Sequence, residues 1–289
     1  MTEPDGAWLD RMYDNRALVP AHPVHFRDWA ARSAEAMRSH PRELDVRYGG
    51  GPSEHLDVFA APQADAPVLV FIHGGYWRAM DKRDHAFIAP AFTAQGACVV
   101  VPNYALAPAV SIPQIVMQMV QALAWTWRHI GRYGGNRERI VVAGHSAGGH
   151  LAAMLLSCVW PVFGRDLPSD LVKGALSISG LHDLEPFVRT PFLKDSLQLT
   201  RAQARRASPA LLPPPAQGVL YAVAGGDESE EYHRQLRMVR EAWGPERVPV
   251  CEQLPGLNHF SVLDALLQPG HRLNTLALGL LAGQGSAGA

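Results

Sequence analysis

Val141-Val142-Ala143-Gly144-His145-Ser146-Ala147-Gly148-Gly149-His150 is the stretch on which the reading of this chain turns. The apolar, β-prone run Ile140 to Ala143 meets a Gly-x-Ser-x-Gly at Gly144 to Gly148, and a helix-capable apolar segment, Leu151 to Leu156, follows. Strand, sharp turn and helix in that order form the context of a nucleophile elbow. So tight a turn leaves no room for side chains at its flanks, and glycine occupies both. Ser146 is then expected above the strand end, at a helix N-terminus whose positive end favours a developing oxyanion. A serine hydroxyl is a poor nucleophile at neutral pH, so the rest of the chain has to supply a base, an acid and an oxyanion hole.

Composition narrows the search. The chain has 289 residues, 47% hydrophobic and 18% charged, which suits one sizeable domain or a domain with an added arm. A net charge of −1 gives no electrostatic case for nucleic acid or an anionic membrane. Cys98, Cys158 and Cys251 are far apart in sequence and odd in number, so reduced thiols and a cytoplasmic setting are expected. Met1 to Asp10 carries Glu3, Asp5 and Asp10 and lacks the basic and apolar regions of a signal peptide. The apolar run Leu151 to Phe163 is too short to span a bilayer.

Outward from the serine, the chain alternates strand and helix. In residues 1–42, Phe26, Trp29, Ala30, Ser33, Ala34 and Met37 share one helical face, which predicts an N-terminal arm that docks on the domain or caps its site. Leu44 to Tyr48 and His55 to Ala60 read as an antiparallel hairpin at a sheet edge. Val68 to Ile72 is a continuous apolar run, as in a central strand buried on both faces. Helix is expected at Asp84 to Ala94 and strand at Ala97 to Val101; a long amphipathic helix runs from Ile112 to Ile130. Further strands are expected at Val172 to Ser179, Val219 to Val223 and Val248 to Leu254. The expected architecture is α/β: a mostly parallel sheet of about eight strands with helices on both faces, over residues 43–281. Residues 282–289 read as a frayed tail.

In such sheets ligands bind beyond the carboxyl ends of the strands. His73-Gly74-Gly75-Tyr76-Trp77 follows the central strand, and its glycines let backbone N–H groups turn toward an oxyanion. Gly74, Gly75 and Tyr76, with Ala147 after the serine, are the candidate oxyanion donors. His259, after the last strand, is the candidate base; His73, His145 and His150 are expected to brace the backbone around it. Two aspartates follow strand ends, Asp183 and Asp227. Asp227 is preferred as the acid, since the chain order becomes Ser146, Asp227, His259. Glu228, Glu230 and Glu231 need only favour the dipole of the helix they begin. The expected chemistry is acyl transfer through an acyl-enzyme, with no metal and no cofactor. Tyr76, Trp77, His182, Phe187 and Phe192 are candidate pocket walls.

His73-Gly74-Gly75-Tyr76-Trp77, Gly144-His145-Ser146-Ala147-Gly148, Asp227 in Gly225-Gly226-Asp227-Glu228-Ser229, and Asn258-His259-Phe260 together resemble the kynurenine formamidase (arylformamidase) branch of the α/β-hydrolases. The likeness covers about residues 10–270. Hormone-sensitive-lipase-like esterases share the His-Gly-Gly turn but usually have a third glycine after it and an aspartate before the serine. Tyr76 and His145 stand in those places here. The resemblance implies hydrolysis of N-formyl-kynurenine to kynurenine and formate, activity on simple aryl and short-chain esters, and often homodimers. A broad carboxylesterase is the alternative enzyme, and a non-catalytic binding protein the remote one. The partner expected is a small-molecule substrate, without nucleic acid or membrane. A kynurenine carboxylate would call for a cation near the pocket, with Arg78, Arg83 and Arg189 as candidates.

Overall fold

In the computed structural model, which describes residues 5–283, eight strands form one sheet in the order β1-β2-β4-β3-β5-β6-β7-β8. They are β1 (Arg42–Arg47), β2 (His55–Phe59), β3 (Ala66–Ile72), β4 (Cys98–Pro102), β5 (Gly135–His145), β6 (Val172–Ile178), β7 (Val219–Gly225) and β8 (Val250–Leu254). The β1–β2 hairpin joins β4 antiparallel, and every pairing from β4 to β8 is parallel. β3, β5 and β6 are central, so the His-Gly-Gly turn, the serine and the β6 loop open on one edge.

Successive strand residues point to opposite faces, and each face is buried under helices. Val68, Val70 and Ile72 of β3 join Val142 of β5 in a cluster with Ile115, Met119 and Leu123 from the helix Ile112–His129. Leu69 and Phe71 join Val141 and Ala143 in the opposite cluster, against Trp29 of the arm and Leu263, Leu276 and Leu280 of the C-terminal helices. Elements packed on both sides explain why these strands read as unbroken apolar runs.

Two expectations need correction. The helix foreseen over Asp84 to Ala94 is two 3₁₀ turns, Lys82–Asp84 and Ala86–Ile88, leading into the short helix Ala89–Thr93. Pro90 near its start allows entry but cannot donate to a preceding turn. The arm has three helices, Gly6–Tyr13, Asn15–Leu18 and His22–Ser39, rather than the single one whose face carries Phe26 to Met37. Of the expected tail, Ala282 and Gly283 form a turn and residues 284–289 lie outside the described residues.

Candidate active site

Ser146 sits at φ 57°, ψ −117°, between β5 and the helix Ala147–Leu156. A non-glycine residue held there stores about 1–3 kcal/mol of strain. Its surroundings enforce the geometry: a Cβ on Gly144 would lie 2.1 Å from Gly148 O, and one on Gly148 would lie 2.0 Å from Ile72 O. The Ser146 N–H donates to Ile178 O of the adjacent strand at 2.8 Å. The serine is thereby tied to three strands.

His259 lines the same cavity as Ser146. Its Nδ1–H donates to a carboxylate at 2.6 Å, and that carboxylate is Glu228 Oε2, not Asp227. The pair is buried, with side chains 5% and 1% exposed. Asp227 is exposed to solvent. The cause of this one-residue shift lies in the turn after β7. Gly226 N–H bonds Leu254 O at 2.7 Å and Asp227 N–H bonds Leu257 O at 3.0 Å, which aims residue 227 outward and residue 228 back over the strand ends. Glu228 Oε1 accepts from Gly225 N–H at 2.6 Å and Ser179 Oγ–H at 2.5 Å. Both carboxylate oxygens are thus engaged, and the contact at Nδ1 fixes the His259 ring as the Nδ1–H tautomer, which leaves Nε2 as the acceptor nitrogen. Asp183 is occupied elsewhere: its Oδ1 caps Glu185 N–H at 3.0 Å and its Oδ2 faces Arg234 at 3.3 Å.

His145, beside the serine, is a brace. Its Nε2–H donates to His259 O at 2.8 Å. Burial, reinforced by the neighbouring His259, holds its pKa well below the usual histidine value, so it stays neutral.

The turn after β3 carries three consecutive positive φ values, Gly75 at 106°, Tyr76 at 50° and Trp77 at 56°. Gly75 O accepts from Arg78 N–H at 3.1 Å and Ala79 N–H at 3.0 Å. The N–H groups of Gly75, Tyr76 and Ala147 have no backbone acceptor among the described residues. Gly74 serves contact: a Cβ there would lie 2.9 Å from His145 O and 3.1 Å from Ser146 Cβ. Below the turn, the His73 Nδ1–H donates to Gly74 O at 2.8 Å, and its ring stacks on Tyr104 at 4.2 Å. Trp77 Nε1–H donates to His150 Nδ1 at 3.2 Å, and His150 Nε2–H donates to Ala207 O at 2.7 Å. That pattern requires a neutral imidazole, and burial pushes its pKa down to about 4.

The cavity holding Ser146 and His259 measures about 730 Å³. The arm builds much of its wall, through Asp14, Asn15, Arg16, Ala17, Phe26 and Trp29, together with Gly75, Tyr76, Arg78, Phe192 and Phe260. Buried Asn15 reaches further in. Its Nδ2 donates to Tyr232 OH at 2.7 Å and Tyr76 OH at 3.2 Å. Tyr76 O–H donates to Tyr13 O at 2.6 Å, so at the 2.6 Å contact between the two phenols Tyr232 is the donor. The Tyr232 ring lies 4.7 Å from that of His259. Burial raises the pKa of Tyr76 and Tyr232, so the chain of hydroxyls keeps its protons.

The other candidate walls divide. Tyr76 and Phe192 line the cavity. Trp77 and Phe187 are fully buried and pack against each other at 5.9 Å, Trp77 from the turn after β3 and Phe187 from the 3₁₀ turn Glu185–Val188. His182 is buried beside Ser177 Oγ at 3.3 Å, beneath the β6 end. Arg78 lines the cavity, while Arg83 is paired with Asp45 at 2.9 Å near the β1–β2 hairpin, and Arg189 is not among the lining residues. Sequence reasoning missed Glu228, Tyr232 and the arm residues Asn15 and Arg16. The only local signal for Glu228 was its adjacency to Asp227.

Comparison with known proteins agrees with this architecture. The BD-FAE family model matches residues 56–158, and that of the carboxylesterase family matches residues 114–207. Kynurenine formamidase from Danio rerio is 30% identical over 283 residues, covering 95% of this chain and 92% of that protein. Its Salmo salar counterpart is 30% identical, covering 82% and 81%. Carboxylesterase NlhH of Mycobacterium tuberculosis is 32% identical over 60% of this chain and 59% of its own. A crystal structure from Silicibacter sp. TM1040, assigned as a thioesterase, superposes with a TM-score of 0.82 at 28% identity, covering 92% of this chain and 97% of that one. With its elbow, its buried carboxylate–imidazole pair and relatives along most of its length, this chain is a serine hydrolase and belongs to the kynurenine formamidase family of α/β-hydrolases.

Proposed function

We propose that this protein hydrolyses aryl formamides of the N-formyl-kynurenine type through an acyl-enzyme on Ser146. The observation that carries the reading is the buried Glu228–His259 pair, 2.6 Å apart, in one cavity with a serine on a strained elbow. His259 Nε2 takes the Ser146 proton as Oγ attacks the formyl carbon. The N–H groups of Gly75, Tyr76 and Ala147 receive the oxyanion, and Glu228 balances the imidazolium. Collapse expels the arylamine, which takes the proton from His259. Water then gives its proton to His259 and attacks the formyl-serine ester. Formate leaves as the serine recovers its proton.

Ester cleavage is the second reading. N–H donors hold the oxyanion of an ester as well as that of an amide, and carboxylesterases are among the relatives. The unpaired thiols of Cys98, Cys158 and Cys251 support a cytoplasmic setting.

The test is kcat/KM for N-formyl-kynurenine beside p-nitrophenyl acetate and p-nitrophenyl butyrate, with Ser146→Ala as blank. Turnover of the formamide at least as fast as of the esters is expected. Cleavage of esters alone makes the protein an esterase, and normal turnover by Ser146→Ala overturns the site.

A further inference from the structure

The turn that brings Glu228 to His259 leads into the helix Glu230–Arg247, and Tyr232 in its first turn is delivered to the same place. Tyr232 is 1% exposed, and its ring lies 4.7 Å from that of His259. The Ser146 side chain is within its hydrogen-bonding reach: burial raises the Tyr232 pKa, and hydrogen bonds with Tyr76, Asn15 and Ser146 act against that rise. A phenol has one proton to give and two lone pairs to accept with. Tyr76 spends all three, giving its proton to Tyr13 O at 2.6 Å and accepting from Tyr232 at 2.6 Å and from Asn15 Nδ2 at 3.2 Å. Tyr232 spends two: its proton goes to Tyr76, and one lone pair receives Asn15 Nδ2 at 2.7 Å. The second lone pair is the one that meets Ser146. With its proton committed, Tyr232 acts toward the serine only as an acceptor, and the bonds to Asn15 and Tyr76 hold it in place before any substrate arrives.

Attack moves the Ser146 proton to His259 and bonds Oγ to the acyl carbon, so the acceptor position beside Oγ loses its serine donor. The leaving atom of the substrate is bound to that same carbon, two bonds from Oγ, and comes within reach of the same position. In an aryl formamide this atom is a nitrogen that keeps one hydrogen; in an ester it is an oxygen with none. We propose that the Tyr232 hydroxyl oxygen accepts the N–H of the departing arylamine, and that this contact sets a preference for formamides over esters. The nitrogen of the tetrahedral adduct carries one hydrogen and one lone pair, and holding the hydrogen on Tyr232 aims the lone pair at His259. His259 gives its proton to that lone pair, the C–N bond breaks, and the amine leaves with both hydrogens. Tyr232 keeps its own proton throughout. A site built to receive an N–H gains nothing there from an analogue without one. The inference rests on the formamidase reading of this site and names the residue that makes the formamide the better substrate.

The experiment measures kcat/KM for formanilide and phenyl formate, which share the acyl group and the ring and differ at the leaving atom, with Ser146→Ala as blank. Tyr232→Phe should lower turnover of formanilide about tenfold more than that of phenyl formate. A second variant carries 3-fluorotyrosine in place of Tyr232. Fluorine draws electron density from the hydroxyl oxygen, so the side chain keeps its shape and its proton but accepts more weakly. The ratio of formanilide to phenyl formate turnover should fall in the same direction by a smaller factor. A structural role for Tyr232, through packing or through its bonds to Asn15 and Tyr76, would slow both substrates alike. A ratio unmoved by Tyr232→Phe overturns the inference and leaves the formamidase reading standing; if that variant does not fold, the ratio in the fluorotyrosine variant decides in the same way. A wild type that cleaves phenyl formate and leaves formanilide intact overturns the formamidase reading, and this inference with it.

Discussion

Replacing Glu228 with glutamine separates the two adjacent carboxylates. Glu228 Oε2 receives the His259 Nδ1–H at 2.6 Å, and Oε1 is held by Gly225 N–H and Ser179 Oγ–H. A glutamine in that place keeps its oxygen toward those two donors and turns its NH₂ to His259. Nδ1 must then accept, and the ring proton moves to Nε2, where it faces the serine and blocks its deprotonation. The imidazolium formed during attack also loses its counter-charge inside a buried site. The same acid-to-amide change in serine proteases costs about 10⁴ in kcat, so Glu228→Gln should cost on the order of 10³ to 10⁴, about 4–5.5 kcal/mol of transition-state stabilisation. Asp227→Asn, on an exposed side chain, should stay within about twofold. Steady-state kcat with p-nitrophenyl acetate reads the difference, with near-UV circular dichroism to show that both variants fold. An active Glu228→Gln beside an impaired Asp227→Asn would refute the assignment.

Asn15→Ala strips two hydroxyls of a donor that fixes Tyr76, and leaving buried polar groups short of partners costs about 1–3 kcal/mol. A fall in kcat of about tenfold is expected, and unchanged kinetics would show that the arm merely covers the site. His85 is buried with Nε2 unpartnered, and burial, with His73 beside it, pushes its pKa down to about 3. The unfolded chain takes up this proton near pH 6.5 and the folded one does not, so stability is lost as pH falls from about 6.5 toward 3, by up to ~1.4 kcal/mol per pH unit. His85→Phe should flatten Tm between pH 7 and 5, and a Tm profile parallel to the wild type counts against this account. Gly148→Ala should abolish activity and reduce soluble yield, since its Cβ would lie 2.0 Å from Ile72 O. A well-folded, active Gly148→Ala would mean that the elbow is looser than described.

The features legible in the sequence are those whose cause is local. Gly144 and Gly148 are demanded by one turn, Val68 to Ile72 is apolar because both faces of β3 are covered, and His259 follows a strand end within a short loop. The acid was misplaced by one residue because the direction of residues 227 and 228 depends on Leu254 O and Leu257 O, which lie in a different strand and loop. Trp77 and Phe187 read as pocket walls because an aromatic residue near a site has the same sequence signature whether it faces the cavity or the core. Nothing near Asn15 in sequence points to Tyr232, whose hydroxyl it meets 217 positions later.

That separation governs the order in which the molecule can be completed. Tyr13 bonds Glu231, Asn15 bonds Tyr232 and Arg32 bonds Asp264, so part of the seat of the first helices is made only near the end of the chain. Contacts so distant along the chain close late, after more local structure has offset the loop entropy. Until then Trp29 has Phe87 and His85 to pack on, and the cavity lacks His259 and Phe260. Enzymatic competence in this protein is therefore the last property to emerge during synthesis. A chain that stops before Glu228 would contain the sequences of the elbow and the oxyanion turn and still lack both members of the buried carboxylate–imidazole pair.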